Sequence, residues 1–177
     1  MAGESNDKRV IVAILLTSTL LTMLGIAGVL RGGYDFSLVP GAQDGRDLFD
    51  SEAQVQLFEA QVTNPYRRPM AAANVVVSAL VLIGSFMLSW RRRIAQWWIK
   101  QAVAAKLLWI IAYTASLVSH LKVAFPPLPV EEPGGGLPEV IGSVILFGTL
   151  SAALHVAAAY RATRSDIRRF IESSTES

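Results

Sequence analysis

The sequence predicts an all-α fold: an integral membrane four-helix (tetraspan) bundle, with both termini cytoplasmic and a short extramembrane helix in the first outer loop. Three observations lead there. Four apolar runs, Val10–Leu30, Met70–Trp90, Ala102–Leu121 and Val140–Tyr160, are each 20 or 21 residues long and hold one Lys, Arg, Asp or Glu between them, Lys106. About 20 helical residues span a hydrocarbon core of about 30 Å, and only a helix lets such a run satisfy its own backbone in lipid. The second observation is the division of charge. Met1–Arg9, Arg91–Lys100 and Arg161–Ser177 together carry 10 basic and 5 acidic residues, whereas Arg31–Pro69 and Lys122–Glu139 carry 5 and 9. Lys and Arg in short loops mark the cytoplasmic side, so the first three segments are expected inside. The third is the segment Arg91-Arg92-Arg93-Ile94-Ala95-Gln96-Trp97-Trp98-Ile99-Lys100, a basic, aromatic corner between two apolar runs. Its arginines stop one helix, and Trp97 and Trp98 suit the headgroup belt.

The elements follow in order. Residues 1–9 form a polar cytoplasmic start and 10–30 the first membrane helix, too long for a signal-peptide core of about 7–15 residues. Arg31-Gly32-Gly33 closes it. Within it, the hydroxyls of Thr17, Ser18, Thr19 and Thr22 are expected to bond to their own helix or a neighbour. Residues 31–69 make the larger outer loop. Inside it, about 47–62 reads as a helix, with Ser51-x-x-Gln54 resembling a capping box and Asn64-Pro65 ending it. That helix has two apolar stripes: Leu48, Val55, Phe58 and Val62 on one side, Phe49, Ala53, Leu57 and Ala60 on the other. Two stripes require two partners. Val55, Leu57 and Phe58 therefore either pack within the protein or form a partner contact.

Residues 70–90 are the second membrane helix, opened by Pro69; 91–100 are the cytoplasmic turn and 101–121 the third helix. Residues 122–139 form an outer loop whose Pro126-Pro127-Leu128-Pro129 is rigid and extended and whose Gly134–Gly136 is flexible. Residues 140–160 are the fourth helix and 161–177 a cytoplasmic tail. Thr149, Ala153 and Ala157 form a small-residue face, and Ala112 and Ser116 offer it a seat for close helix packing.

The chain has 177 residues, 52% hydrophobic and 17% charged, and no cysteine. Disulfides, thiolate catalysis and cysteine-ligated metals are thereby excluded. No Walker loop, nucleophile elbow or zincin helix occurs, so no catalytic residue, cofactor or metal ligand is assigned and an enzyme is not expected. His120 and His155 fall near opposite faces of the bilayer, too far apart to hold one haem. Nothing points to nucleic acid. The expected surroundings are a lipid bilayer, that of a cytoplasmic (plasma) membrane, with a membrane-protein partner or a second copy of the chain as candidate companions. The layout, a larger first and smaller second outer loop, resembles that of claudin-like tetraspan proteins. The first loop holds no cysteine pair, so nothing of that family is carried over.

One candidate polar site stands out: Lys106, His155 and Asn74. Ionisable residues inside membrane helices are functional candidates by default. Counted from the ends of their apolar runs, Lys106 and His155 fall about 7–8 Å below the cytoplasmic interface. At that depth the expected arrangement is a Lys106 that snorkels to the headgroups and a His155 that bonds a neighbouring helix. The alternative is a shared, proton-linked or anion-binding site. Asn74 is expected to bond another helix and fix its register. Two function classes follow. One is a non-enzymatic accessory, assembly or structural component of a membrane. The other is a small transporter or proton-linked sensor built on these three residues.

Overall fold

The computed structural model describes residues 2–41, 49, 51–124 and 137–173, with side chains from Asp7 onward. Six α-helices and no strand occur among them: α1 (Ala2–Ser37), α2 (Glu52–Thr63), α3 (Arg67–Ser89), α4 (Ala95–Ala124), α5 (Leu137–Ala162) and α6 (Ser165–Ser173). α1, α3, α4 and α5 are each long and apolar enough to cross a membrane. They form a bundle in which α1 packs on α3, α3 on α4, α4 on α5 and α5 back on α1. The outer loop 125–136 and the tail from 174 lie outside the described residues, as does the expected start of the loop helix at 47 and 48.

α1, α4 and α5 exceed their expected bounds at both ends, and α3 starts earlier than expected. α1 departs most: it continues through Arg31-Gly32-Gly33 to Ser37. Arg31 Nε bonds both oxygens of Asp35 at 3.1 Å, one turn on, and Gly32 lies against α3. A Cβ on Gly32 would stand 2.9 Å from the Ala71 carbonyl and 2.8 Å from Val75. Gly32, read with Gly33 as a stop, is thus a seat, because burial against α3 offsets the roughly 1 kcal/mol a helical glycine costs. Gly28, one turn earlier, serves the same contact: its Cβ would fall 2.1 Å from Ser78 Oγ. Gly28-x-x-x-Gly32 is the motif that lets two membrane helices approach closely, and it joins α1 to α3. The face formed by Thr149, Ala153 and Ala157 is exposed instead; α5 meets α4 through Gly148, whose Cβ would sit 2.8 Å from Thr114 Oγ1.

The α3–α4 corner is tight. Arg91 has φ of 53°, and the bonds Arg92 N to Met87 O and Arg91 N to Leu88 O make it a Schellman end. Arg91, Arg92 and Arg93 are exposed, as are Trp90 and Trp97. Trp98 behaves otherwise: its indole N–H donates to Leu80 O at 3.0 Å, so it fastens α4 to α3 rather than offering that donor to headgroups.

Two apolar cores close the bundle at its two ends. The first, at the end of the chain termini, joins Val10 and Ile14 of α1 with Leu88, Ile99, Ala158 and Ala162, and takes in Ile167 and Ile171 of α6. The segment 161–177, expected as a cytoplasmic tail without a helix assigned to it, therefore contains a docked helix. Its spacing explains this: Ile167, Phe170 and Ile171 recur at helical intervals and share one face, while Asp166, Arg168 and Glu172 occupy the other. Arg91 stacks its guanidinium over the Phe170 ring, 5.1 Å from the centroid, a cation–π contact that holds α6 to the corner.

The second core lies at the α2 end and joins Ala60 with Leu117, Leu121 and Val140, with Leu57 and Ala53 packed on it. The other stripe of α2, Phe58 and Val62, packs with Leu38, and Phe49 meets Phe58 ring to ring at 5.6 Å. Val55 and Phe58 are 3% and 8% exposed. Both stripes therefore meet other parts of this chain. Ser51 is the N-cap, but its hydroxyl makes no capping bond, so the expected capping box is not formed. Asn64 ends the helix and binds onward: its Nδ2 donates to Ser116 Oγ at 3.2 Å.

Candidate functional site: a cationic cleft between the two cores

Between the apolar cores the bundle carries a polar layer. Lys106 lies 11 residues past the start of α4, about 16 Å along its axis, near mid-helix. It is 4% exposed. Its Nζ donates to Asn74 Oδ1 and, at 2.8 Å, to Ser78 Oγ, both on α3. Asn74 completes a three-helix tie by donating from Nδ2 to the Gly28 carbonyl of α1 at 3.1 Å, and Ser78 donates to Asn74 Oδ1 at 3.3 Å. The Lys106 ammonium also stands over the Trp109 ring, 4.5 Å from its centroid. Trp109 is held in place by its own N–H, which donates to Met70 O at 2.8 Å, and by stacking on Tyr113 at 5.0 Å.

Lys106 does not snorkel. Snorkelling needs an open path to the headgroups along the helix surface, and this stem is enclosed by α1 and α3. Near-contact of glycine at position 28, 3.1 Å from Lys106 Nζ to the site of a Cβ, gives the ammonium its room. α4 starts at Ala95, six residues before the expected bound at 101, which places Lys106 about three turns past the start of the helix.

Lys106, Asn74 and His155 line one cleft of about 490 Å³ to which α1, α2, α3, α4 and α5 all contribute. His155 is 2% exposed. Its Nδ1 lies 2.7 Å from the Ser151 carbonyl, an acceptor only, so Nδ1 carries the proton and Nε2 holds a lone pair. Nε2 is buried and has no hydrogen-bond partner. The expected bond from His155 to a neighbouring helix is not made; the ring bonds its own helix. Towards the α2 end the cleft meets Arg31, Asp35, Gln61 and Tyr113. Arg31 is paired with Asp35 and reaches Gln61 Oε1, at 3.4 Å. No carboxylate pairs with Lys106 among the described residues. With Arg31 and Asp35 cancelling, the cleft carries one uncompensated positive charge.

Protein-family models, characterised proteins and solved structures offer no match. The site therefore stands on its own chemistry. A buried ammonium costs several kcal/mol in desolvation, and here the return is two neutral oxygens and one aromatic face. An ammonium has three donors; two are used by Asn74 and Ser78. The third donor and the net positive charge suit a single anion, and the lone pair of His155 is an acceptor for a proton that the ligand carries. No group of three or more His, Cys, Asp or Glu gathers for a metal among the described residues. His120, at the α2 end, bonds Thr63 Oγ1 at 3.0 Å and takes no part in the cleft. The sequence pointed to Lys106, His155 and Asn74, but not to Ser78, Trp109, Tyr113 or the Arg31–Asp35 pair. Gly28-x-x-x-Gly32 was the available signal for the helix pairing that builds the site.

Proposed function

We propose that the protein is a non-enzymatic, multi-pass membrane protein that binds a small organic anion within its bundle, as a small transporter or proton-linked sensor does. The observation that carries this reading is the mid-bundle Lys106 ammonium, held by Asn74 and Ser78 in a cleft of about 490 Å³ with no carboxylate beside it. Ligand clefts commonly measure about 300–1,000 Å³ and combine apolar walls with a few placed polar groups. Leu24, Ile110 and Val144 supply such walls here. An accessory or assembly role would call on an unpartnered recognition face. The two stripes of α2, its best candidate in the sequence, are occupied internally, which favours ligand binding. Charge division supports an orientation with both termini cytoplasmic and α2 outside, in a cytoplasmic (plasma) membrane.

The test is native mass spectrometry of the protein released from its own membranes. The reading expects a small anionic adduct on the wild-type chain that is lost in Lys106→Leu. An adduct retained by that variant, or a wild-type protein that carries only annular lipid, contradicts it.

A further inference from the structure

We infer that the cleft takes a lipid-soluble monocarboxylic acid directly from the bilayer, between α1 and α5, and that His155 accepts the acid's proton as Lys106 receives the carboxylate. The inference rests on the anion-binding reading and adds the ligand class, the route and the fate of the proton.

The route comes from how the helices close. Among the buried clusters, α1 and α5 share one only at the termini end, where Val10 and Ile14 meet Ala158 and Ala162. At the other end the core is built from α2, α4 and α5, without α1. The cleft lies in the gap between these cores. Its lining includes Ala27 of α1 and Phe147 of α5, and both are exposed, Phe147 to 71%. A lining residue that is also exposed marks a rim, so the cleft opens sideways between two membrane-crossing helices. A molecule entering there arrives from hydrocarbon.

The charge state follows from the route. A carboxylate is costly to place in hydrocarbon, whereas the neutral acid is not. The acid therefore reaches the site carrying its proton, and the site must have somewhere to put it. His155 Nε2 is that place. Because Nδ1 is held on the Ser151 carbonyl of the same helix, the opposite ring nitrogen faces away from the α5 backbone. It is an acceptor, and it is buried without a partner. As the acid's O–H bond breaks, the Nε2–H bond forms. The products are a carboxylate beside the Lys106 ammonium and an imidazolium that keeps its Nδ1–H bond to Ser151. No net charge enters. The other charged or titratable groups lining the cleft are Arg31 and Asp35 from α1 and Tyr113 from α4, the first two paired with each other; α2 and α3 contribute neutral groups, Gln61 and Asn74. The cleft then holds the Lys106 ammonium, the imidazolium and one carboxylate, and keeps its single net positive charge; a second carboxyl would also have to cross hydrocarbon, which favours a monocarboxylic acid.

The experiment uses the full chain in lipid nanodiscs, with ¹³C-carboxyl decanoic acid as probe, its methyl ester and decanol as controls, and the ¹⁵N signals of the His155 ring as readout. The inference expects saturable binding of the acid, conversion of Nε2 from lone-pair to protonated type, and at least 10-fold weaker binding of both controls. Lys106→Leu should weaken acid binding at least 10-fold. Ala27→Trp, which narrows the rim and leaves the polar groups untouched, should slow uptake without changing the bound-state ring signals, and it keeps the test open should Lys106→Leu misfold. Equal binding of the ester, or acid binding with an unchanged ring, overturns the inference. A water-soluble anion separates the two levels. If benzoate binds in a Lys106-dependent way and decanoic acid does not, the lipid-acid inference falls and the anion site stands. If neither binds, both fall.

Discussion

Lys106 and Gly28, on α4 and α1, are joined through a single amide: Asn74 accepts from the Lys106 ammonium through Oδ1 and donates to the Gly28 carbonyl through Nδ2. One side chain of α3 thus sets the register of three helices and orients the only charge at mid-bundle among the described residues. Ligand binding and helix packing are coupled at this point, which makes their separation by mutation informative.

Lys106→Leu is expected to separate them. It removes two hydrogen bonds, worth about 1–3 kcal/mol if their acceptors go unsatisfied, but Ser78 still donates to Asn74. It also removes an ammonium whose desolvation costs several kcal/mol. The melting temperature in detergent should therefore hold or rise while the anion is lost. Lys106→Arg should be the harmful change, because the larger planar fork must fit beside α1, with overpacking costing about 1–3 kcal/mol. A tolerated arginine with unchanged melting would return Lys106 to the bilayer interface.

Glycines in α1 should not behave alike. Gly28→Ala drives a methyl into Ser78 and should destabilise by about 1–3 kcal/mol. At Gly33 nothing lies within 4 Å of the added carbon, so Gly33→Ala should be neutral or stabilise by up to about 1 kcal/mol through helix propensity. Matched unfolding of the two variants in denaturing detergent checks the α1–α3 contact; equal effects would contradict it.

The α6 helix should detach without unfolding the bundle. Ile171→Asp places a carboxylate where a buried side chain packs on the termini-end core. Amide exchange in Ser165–Ser173 should accelerate at least 10-fold while α3 and α4 stay protected. Exchange that is already fast in the wild type would mean that α6 is not docked.

Reporter fusions following Ser177 and inserted in Gly134–Gly136 should report opposite sides of the membrane, as the excess of basic residues at the termini end requires. Reporting from one side would overturn the proposed orientation.

The sequence made the four membrane-length apolar helices legible because lipid imposes a single local rule, about 20 apolar residues per helix. It underreported helix ends. Arg31-Gly32-Gly33 looks like a stop until Ala71 and Val75 are seen against Gly32, a tertiary contact no local pattern reveals. The docking of α6 was legible, in Ile167, Phe170 and Ile171, but was masked by the surrounding arginines, which read as an end of the membrane segment. For the site, intramembrane ionisability singled out Lys106 and His155, which the fold places along one cleft. What no local pattern reveals is the enclosure of the Lys106 stem by α1 and α3, which hydropathy along one run does not register. Ser78 and Trp109 carry no signal of their own; only the crossing of α3 and α4 brings them to the ammonium.

The central claim is that Lys106 and His155 belong to one anion-binding cleft. It is tested most directly by ¹⁵N NMR of the His155 ring in lipid, in a His120→Gln background that leaves one histidine, with Lys106 present and with Lys106→Leu. The account predicts ring signals that differ between the two proteins, and a saturable response to benzoate in the first that is absent in the second. Identical ring signals, or the same response to benzoate with and without the ammonium, would show that the two residues do not share a site.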